Sequence, residues 1–367
     1  MNGPWAEVRR ILVIRLDNIG DVMMTSPVLR ALKENLPESS ITLMASPGGS
    51  KAAPLLPWVD EVLPWRVLWQ DMGRLSFDPA RERQLIDTLA RGNYDAAIIL
   101  TSFKQTPHVA GYLCYLAGIP LRLGESKEWG GGVLTTEIAP APDELHQAER
   151  NLRLIEHVGF RVEDRSLGVR VPEEVRSSAA ALLETRGVNP GSPYLLLSPW
   201  TSCQARTYGA ERFARATRRL SKETGWPVVV SGTEADRARS SELFGALANR
   251  GVDLVGTTGL PELAAVVEGA QLVLTNNTST MHLADALRAP AVVLFSGTEL
   301  EGQWHPRDAP HRLLRRETWC SPCYAFTCPY NLECLDIPPE EVAEAALSLL
   351  TELGARFAAA PREGSPA

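Results

Sequence analysis

The polar stretch at residues 275–282, TNNTSTMH, follows the apolar run 271–274 and precedes a predicted amphipathic helix at 283–289. Where a strand ends in small polar residues and a helix begins, unpaired backbone N–H groups and the helix dipole favour a phosphate group. The hydroxyls of Thr278 and Ser279 would add hydrogen-bond donors to such a site. The alternative is that either hydroxyl only caps the helix. The stretch alone does not separate the two interpretations.

A second polar loop, SPWTSCQARTY at residues 198–208, follows the first predicted strand of the same half of the chain. It contains Thr201, Ser202 and Arg206. Hydroxyls beside an arginine suit phosphate, because the planar guanidinium can donate two parallel hydrogen bonds to phosphate oxygens. The alternative is an ordinary arginine on the protein surface.

A third loop, SGTEADR at residues 231–237, places Glu234 and Asp236 after another predicted strand. A carboxylate in this position can accept hydrogen bonds from ribose hydroxyls, as in other nucleotide-binding folds. It can equally stabilise the first turn of the following helix. Together the three loops favour a site for a nucleoside diphosphate at one edge of a sheet.

The loop after the first predicted strand of the chain contains RLDNIGDVMMTSP at residues 15–27, with Asp21 directly after Gly20 at a helix start. It matches neither the dinucleotide-binding fingerprint nor the P-loop, because the further glycines are absent. A carboxylate that faces a cleft between two domains is a candidate general base. Asp21 is the predicted base and Asp17 is its rival. The alternative for Asp21 is an acid that only stabilises the helix N-terminus.

Four of the six cysteines lie close together near the end of the chain. A disulfide framework is not expected there in a reducing compartment. Four thiolates can enclose one zinc or iron ion, although only the first pair has the usual C-x-x-C spacing. Such an ion would be structural, because four protein ligands leave no open position. The alternative is a set of free thiols. The four residues are Cys320, Cys323, Cys328 and Cys334.

Length and charge restrict the functions to consider. A chain of 367 residues is longer than most single cores and predicts two domains. The net charge is −7 and no long basic tract is present, which argues against a nucleic-acid partner. No apolar run is long enough for a transmembrane helix, and the N-terminus lacks a signal-peptide core. We therefore expect a cytoplasmic protein, with peripheral contact at the inner face of a membrane left open.

Short β-branched apolar runs alternate with amphipathic helices in both halves of the chain, which is typical of parallel βαβ units. The halves begin with the strands predicted at residues 10–16 and 194–198. We further expect one helix at 22–36 and an irregular loop at 124–147. The basic residues at 312–316 are interpreted as an exposed face.

These elements predict an α/β protein of two doubly wound, Rossmann-like domains that face each other across a cleft. Ligands of such sheets bind outside the carboxyl ends of the strands, where the loops described above lie. The predicted divisions are residues 1–171 for the first domain, 172–337 for the second domain with its Cys-rich loop 320–334, and 338–367 for a closing helix and a disordered tail.

With these loops in place, the chain resembles glycosyltransferase family 9, the heptosyltransferases of lipopolysaccharide inner-core assembly. The segments that carry the resemblance are ILVIRLDNIGDVMMTSPVLRALK at 11–33, LSPWTSCQARTYGAERFARA at 197–216, LPELAAVVEGAQLVLTNNTSTMHLADALRAPAVVLF at 260–295 and CSPCYAFTCPYNLEC at 320–334. The resemblance implies the GT-B fold, with the acceptor in the first domain and the nucleotide sugar in the second. It also implies inverting transfer of a sugar, above all heptose from ADP-heptose, to a glycan or glycolipid hydroxyl. No metal or other cofactor would be required for catalysis, and the absence of a D-x-D motif agrees with that.

The resemblance also implies roles for individual residues. Asp21 looks like the catalytic base, with Asp17, Asn18 and Gly20 beside it on the acceptor side. Arg206 stands where a lysine is usual and would stabilise charge on the leaving ADP. The implied donor-binding residues are Thr201, Ser202, Arg206, Glu234, Asp236, Asn277, Thr278, Ser279, Met281 and His282.

Two of these residues depart from the family, which usually has Asp and Gly at the positions of Asn277 and Ser279. The departure concerns the donor sugar more than the fold. At Ser279 a left-handed backbone conformation would be strained by the Cβ atom. Two other functions stay open, namely another GT-B nucleotide-sugar enzyme, such as an epimerase or hydrolase, and a non-catalytic protein that binds a nucleotide sugar.

Overall fold

The structure is a computed structural model that describes residues 3–71, 73–128, 131–248 and 250–354. The chain divides into two compact units, unit 1 at Met1–Arg170 and unit 2 at Val171–Ala367. The tail that is predicted to be disordered lies outside the described residues. None of the described helices is both long and apolar enough to cross a membrane.

Unit 1 is built around a six-stranded sheet in which all neighbouring strands are parallel. Its strands are β1 (Arg10–Arg15), β2 (Ser40–Ala45), β3 (Glu61–Pro64), β4 (Ala96–Ile99), β5 (Leu121–Glu125) and β6 (Thr136–Ile138). Its helices are α1 (Ile19–Met23), α2 (Ser26–Asn35), α3 (Pro79–Arg91), α4 (His108–Leu116) and α5 (Gln147–His157). The strand order is β3-β2-β1-β4-β5-β6. Residues 11–15 of β1 are all buried, because a central parallel strand is covered on both faces.

Unit 2 contains a second six-stranded sheet of parallel neighbours. Its strands are β7 (Leu195–Ser198), β8 (Val228–Val230), β9 (Gly251–Asp253), β10 (Leu272–Asn276), β11 (Ala291–Leu294) and β12 (His311–Leu314). Its helices are α6 (Glu173–Thr185), α7 (Ala210–Thr224), α8 (Arg237–Leu247), α9 (Leu260–Glu268), α10 (Ser279–Ala286), α11 (Glu301–Trp304) and α12 (Pro339–Glu352). The strand order is β12-β11-β10-β7-β8-β9. Phe213 of α7 and Val342 of α12 are buried in one core with Leu197 of β7.

Both sheets have the order 3-2-1-4-5-6 when the strands of each unit are numbered from its own first strand. The order reverses between β1 and β4 in unit 1, and between β7 and β10 in unit 2. Loops that leave the carboxyl ends of strands at such a switch point diverge and form the ligand-binding crevice of these folds. The prediction of two Rossmann-like α/β domains is confirmed.

Three local predictions were wrong. The helix expected at 22–36 is two helices, α1 and α2, because Pro27 lacks the N–H that a helix interior needs and instead lies in the first turn of α2. The loop expected at 124–147 contains the end of β5 and all of β6. The basic stretch 312–316 begins within β12, an edge strand whose residues are half-buried.

Candidate active site

Arg15, the last residue of β1, organises the site in unit 1, and its side chain is completely buried. Its Nη2 donates to Asp21 Oδ1 and to Ser102 Oγ, each at 2.8 Å. Its Nε lies 3.0 Å from Asp17 Oδ2. A buried guanidinium needs such partners, because an unpaired charge inside a protein is costly. Arg15 therefore brings the two predicted carboxylates, Asp17 and Asp21, to one point.

Asp21 lies in the first turn of the short helix α1, after the buried Gly20. The backbone N–H of Asn18 donates to Asp21 Oδ2 at 3.2 Å, and the Asn18 side chain accepts from the Asp21 backbone. This reciprocal capping box shows that Asp21 does stabilise the helix N-terminus. The same contacts also hold its carboxylate in one orientation beside Arg15, as a general base requires.

The Asp17 side chain is only 12% exposed. Burial raises the pKa of Asp17, while the charge of Arg15 opposes that rise and the charge of Asp21 adds to it. The Gln105 amide also donates to Asp17 Oδ1. A raised pKa suits a general base, so Asp17 stays the rival of Asp21 for that role.

Arg15, Ser102 and Gln105 also belong to this cluster and were not predicted from the sequence. Ser102 and Gln105 follow β4, which pairs with β1 at the switch point, so strand order brings them to the carboxylates despite their distance in sequence. Ser46, after β2, adds a hydrogen bond from its hydroxyl to the Asp17 carbonyl oxygen at 2.7 Å. The signal for Arg15 was present, since an arginine inside the apolar strand RILVIRL requires buried partners.

In unit 2, buried side chains join the loops after β7 and β10. Asn276, fully buried at the end of β10, donates from Nδ2 to the Pro199 carbonyl oxygen at 2.7 Å. Its Oδ1 accepts from the Tyr208 backbone N–H at 3.0 Å. The hydroxyl oxygens of Ser198 and Thr280 are 3.0 Å apart. These contacts cross the switch point of the second sheet and fix the loops that carry the predicted phosphate ligands.

Thr278 and Ser279 lie at the N-terminus of α10, which begins at Ser279. Thr278 is the N-cap residue, but its hydroxyl makes no capping hydrogen bond and lies 3.3 Å from Thr275 Oγ1. That side chain therefore leaves the N–H groups of the first turn uncapped, which suits an anion. Ser279 is not among the described residues with positive φ, so it begins the helix without the strain considered above.

The three predicted phosphate ligands in the loop after β7 differ in their hydrogen bonding and in their exposure to solvent. Thr201 Oγ1 lies 2.7 Å from Thr207 Oγ1, so the Thr201 hydroxyl makes its hydrogen bond within the loop. Ser202 is exposed. Arg206 ends a single 3-10 turn, and its side chain is 28% exposed. Ser202 and part of Arg206 are therefore accessible to a ligand.

Glu299, in the loop after β11, contacts Arg206 and was not predicted from the sequence. Arg206 Nη2 donates to Glu299 Oε1 at 2.5 Å, and Asn277 Nδ2 donates to Oε2 of the same carboxylate at 3.5 Å. Asn277 is buried, and its Oδ1 accepts from the N–H and the hydroxyl of Ser296, each at 3.3 Å. The predicted residues Arg206 and Asn277 are thus brought together through Glu299. No motif in the sequence marks Glu299, because only the sheet order brings it to them.

The two acids of the third loop have different surroundings. Asp236 is buried, and its Oδ2 accepts from the backbone N–H and hydroxyl of Thr233 at 2.8 and 2.7 Å. Burial opposes the ionisation of Asp236, but these hydrogen bonds and the Arg239 guanidinium outweigh it and lower its pKa. Glu234 is exposed and lies so close to Gly256 that an added Cβ there would come 2.1 Å from its carboxylate. Asp236 is therefore committed to capping, whereas Glu234 is open to solvent.

Met281 and His282 are buried in α10. Burial lowers the pKa of His282 to about 4, and the opposing effect of Asp285 is smaller. The His282 ring meets Trp304 edge to face, with the ring centroids 6.4 Å apart. Both predicted residues therefore pack α10 in place, and the imidazole of His282 is neutral at neutral pH.

The Cys-rich loop 320–334 packs on the loops of the second site. The Cys323 N–H donates to the Gly297 carbonyl oxygen at 3.0 Å, and the Cys328 N–H donates to Gln204 Oε1 at 2.8 Å. Among the described residues, no three or more His, Cys, Asp or Glu side chains are arranged to hold a metal ion. Of the two alternatives for these cysteines, the zinc or iron site finds no support among the described residues.

Known proteins resemble most of the chain. The family model of glycosyltransferase family 9 (heptosyltransferase) matches residues 82–333. The chain is 26% identical to lipopolysaccharide heptosyltransferase 2 of Salmonella typhimurium, over 94% of this chain and 99% of that protein. It is 24% identical to lipopolysaccharide heptosyltransferase 1 of Pseudomonas aeruginosa, over 88% of each chain.

Solved structures share the fold. A glycosyl transferase family 9 protein from Veillonella parvula has a TM-score of 0.77 at 22% identity, covering 96% of this chain and 99% of that one. The ADP-heptose lipopolysaccharide heptosyltransferase II of E. coli has a TM-score of 0.73 at 24% identity, covering 94% of this chain and 99% of that one. The likeness extends over both units.

Proposed function

Because the chain belongs to glycosyltransferase family 9 and is a glycosyltransferase of the heptosyltransferase type, we propose that it transfers heptose from ADP-heptose to a hydroxyl of a lipopolysaccharide-core glycan or glycolipid. Unit 1 would supply the base and unit 2 the donor site. The observation that carries the proposal is the buried Arg15, which orients Asp21 in a chain whose family transfers sugars. The proposed location is the cytoplasm, with a glycolipid acceptor reached at the inner face of the membrane.

Asp21 is the proposed general base. It would accept the proton of the acceptor hydroxyl as that oxygen attacks the anomeric carbon from the face opposite the diphosphate. As the new bond forms, the bond between that carbon and the ADP oxygen breaks, so that ADP leaves with the electron pair and the configuration inverts. The contacts from Arg15 and Asn18 support this role, because they hold the carboxylate in one orientation. Asp17, Asn18 and Gly20 are the proposed acceptor-side neighbours.

The donor site is proposed at the switch point of the second sheet. The N-terminus of α10, with Thr278 and Ser279, would bind phosphate oxygens. Arg206 would stabilise the negative charge that develops on the leaving ADP, so that no metal ion is required. Glu234, which is exposed beside Gly256, would accept hydrogen bonds from the ribose hydroxyls, and this role falls to it because Asp236 is occupied by its capping contacts.

The test compares Asp21→Asn with Asp17→Asn, which removes the other carboxylate on Arg15. Base catalysis contributes about 10²–10⁴-fold, so Asp21→Asn should lower kcat by about that factor. ADP binding, measured by calorimetry, should stay near the wild-type value. The assay is transfer from ADP-heptose to a core glycolipid that lacks heptose. Wild-type transfer by Asp21→Asn, or a larger loss of kcat in Asp17→Asn, would assign the base elsewhere.

A further inference from the structure

Glu299 joins the ends of three neighbouring strands of unit 2. It follows β11, and its carboxylate contacts Arg206 from the loop after β7 and Asn277 just after β10. The Glu299 side chain is 20% exposed, so this charge is largely withdrawn from water. A carboxylate is unexpected in a site proposed for a diphosphate, because like charges repel. Its presence therefore needs a physical reason.

The loop that carries Glu299 is fixed on two sides. Ser296 donates to Asn277 on one side, and the hydroxyl oxygens of Ser296 and Thr298 are 2.8 Å apart in the buried interior. On the other side, the Tyr324 N–H of the Cys-rich loop donates to the Thr298 carbonyl oxygen at 2.9 Å. These contacts fix the backbone of the loop, and they therefore also fix the position from which the Glu299 side chain extends.

The amide of Asn277 matches the carboxylate of Glu299. Its Oδ1 accepts both hydrogen bonds from Ser296, which leaves Nδ2 to donate to Glu299. An aspartate at this position would place a second carboxylate 3.5 Å from Glu299 Oε2, and the repulsion would displace Glu299 from Arg206. The site therefore carries its negative charge at position 299 and a neutral donor at position 277.

We propose that Glu299 is a positioning residue that holds the Arg206 guanidinium for the diphosphate of the bound nucleotide sugar, an inference that rests on the proposed function. Glu299 engages the Nη2 nitrogen of Arg206. Arg206 Nε is buried and has no hydrogen-bond partner among the described residues. A guanidinium has five N–H donors and the Arg206 side chain is 28% exposed, so donors other than the buried Nε remain for phosphate oxygens while Glu299 fixes the plane of the group.

The test is a double-mutant cycle in ADP binding by calorimetry, with Glu299→Gln and Arg206→Met alone and together. In the wild-type background Glu299→Gln should weaken ADP binding about tenfold, because the Arg206 guanidinium loses the charged partner that holds it in position. In the Arg206→Met background the same substitution should strengthen ADP binding, because the Glu299 carboxylate repels the diphosphate once the Arg206 cation is gone. A residue that only stabilises the fold would not reverse the sign of its effect.

Glu301→Gln is the matched control, because Glu301 is a nearby carboxylate that pairs with Arg315 at 3.4 Å. It should change ADP binding by less than about twofold, as expected for a partly exposed pair. A second cycle uses Asn277→Asp, which should weaken ADP binding through repulsion. Adding Glu299→Gln to Asn277→Asp should restore part of the loss, because the exchange again pairs one carboxylate with one amide.

The outcomes separate this inference from the proposed function. A wild-type protein that does not bind ADP would overturn the proposed function and this inference with it. A wild-type protein that binds ADP, with no loss on Glu299→Gln or the same loss in both backgrounds, would overturn the inference alone. Thermal unfolding of each variant identifies any that does not fold. If Glu299→Gln does not fold, Asn277→Asp alone decides, and ADP binding as tight as in the wild-type protein would overturn the inference.

Discussion

Single arginines serve the two units in different ways. Arg15 is completely buried between two carboxylates, so its charge is balanced within the protein and its role is to orient Asp17 and Asp21. Arg206 is partly exposed and paired with Glu299, which leaves donors for a ligand. The surroundings of each guanidinium, rather than the residue type, separate a structural cation from one that is proposed to bind a ligand. The sequence predicted Arg206 because it lies in a polar loop, and missed Arg15 because it lies in an apolar strand.

His282 gives the protein a dependence of stability on pH. Its folded-state pKa of about 4 lies below the value of about 6.5 expected in the unfolded chain. The unfolded chain therefore binds the proton first as the pH falls. Stability is complete above about pH 6.5 and is lost progressively as the pH falls toward 4, by about 3 kcal/mol for this residue.

Urea unfolding at about pH 7.5 and about pH 4.5 measures this effect. His282→Gln should remove most of the dependence that belongs to this histidine, because the amide does not titrate in that range. His157→Gln is the control, since His157 is exposed on α5 and should leave the pH dependence as it is. An equal dependence in the wild type and in His282→Gln would show that His282 does not cause it.

Elements differ in how far the sequence predicts them. The central strands were predictable because they are short β-branched runs buried on both faces, as β1 shows. The edge strands β6 and β12 were not, because they are short and carry polar residues. The polar residues in the loops at the carboxyl ends of the strands were predictable, but the contacts between these loops were not. Ser102 meets Asp21 only because β4 pairs with β1, and that pairing is set by packing between distant segments.

Substitution of Asn276 measures how strongly the loops after β7 and β10 depend on this one buried side chain. Asn276→Leu removes the partners of the Pro199 carbonyl and the Tyr208 N–H, and both groups stay buried. An unsatisfied buried group costs about 1–3 kcal/mol, so the loss of two partners should lower the free energy of unfolding by about 2–6 kcal/mol. ADP binding should weaken as well, because this side chain fixes the loop that carries Arg206.

Asn35→Leu is the matched control for chemical denaturation. The Asn35 side chain also pairs with one carbonyl and one N–H of Arg161, but these contacts are exposed to water, and its further bond to the Ala31 carbonyl oxygen is only partly buried. Water can replace them, so the loss of stability should stay near 1 kcal/mol or below. Equal losses in the two variants would contradict the role given to the buried network.

The two units of the molecule share one strand order but carry different polar residues at their switch points. Each unit has the same strand order and carries polar residues on the loops at its switch point. In unit 1 these residues are carboxylates around Arg15, which suit removal of a proton. In unit 2 they are hydroxyls, an arginine and a helix N-terminus, which suit a diphosphate. Both sets of polar residues were predicted from the sequence, but the contact between Glu299 and Arg206 is visible only in the folded sheet.

The most direct test of this account is binding of ADP, UDP, GDP and ADP-heptose to the wild-type protein by calorimetry. We expect a preference for ADP, with ADP-heptose bound at least as tightly, because unit 2 is proposed to hold the diphosphate of that donor. Arg206→Met should weaken each of these ligands, since they share the diphosphate. A preference for UDP or GDP would leave the fold in place and contradict ADP-heptose as the donor.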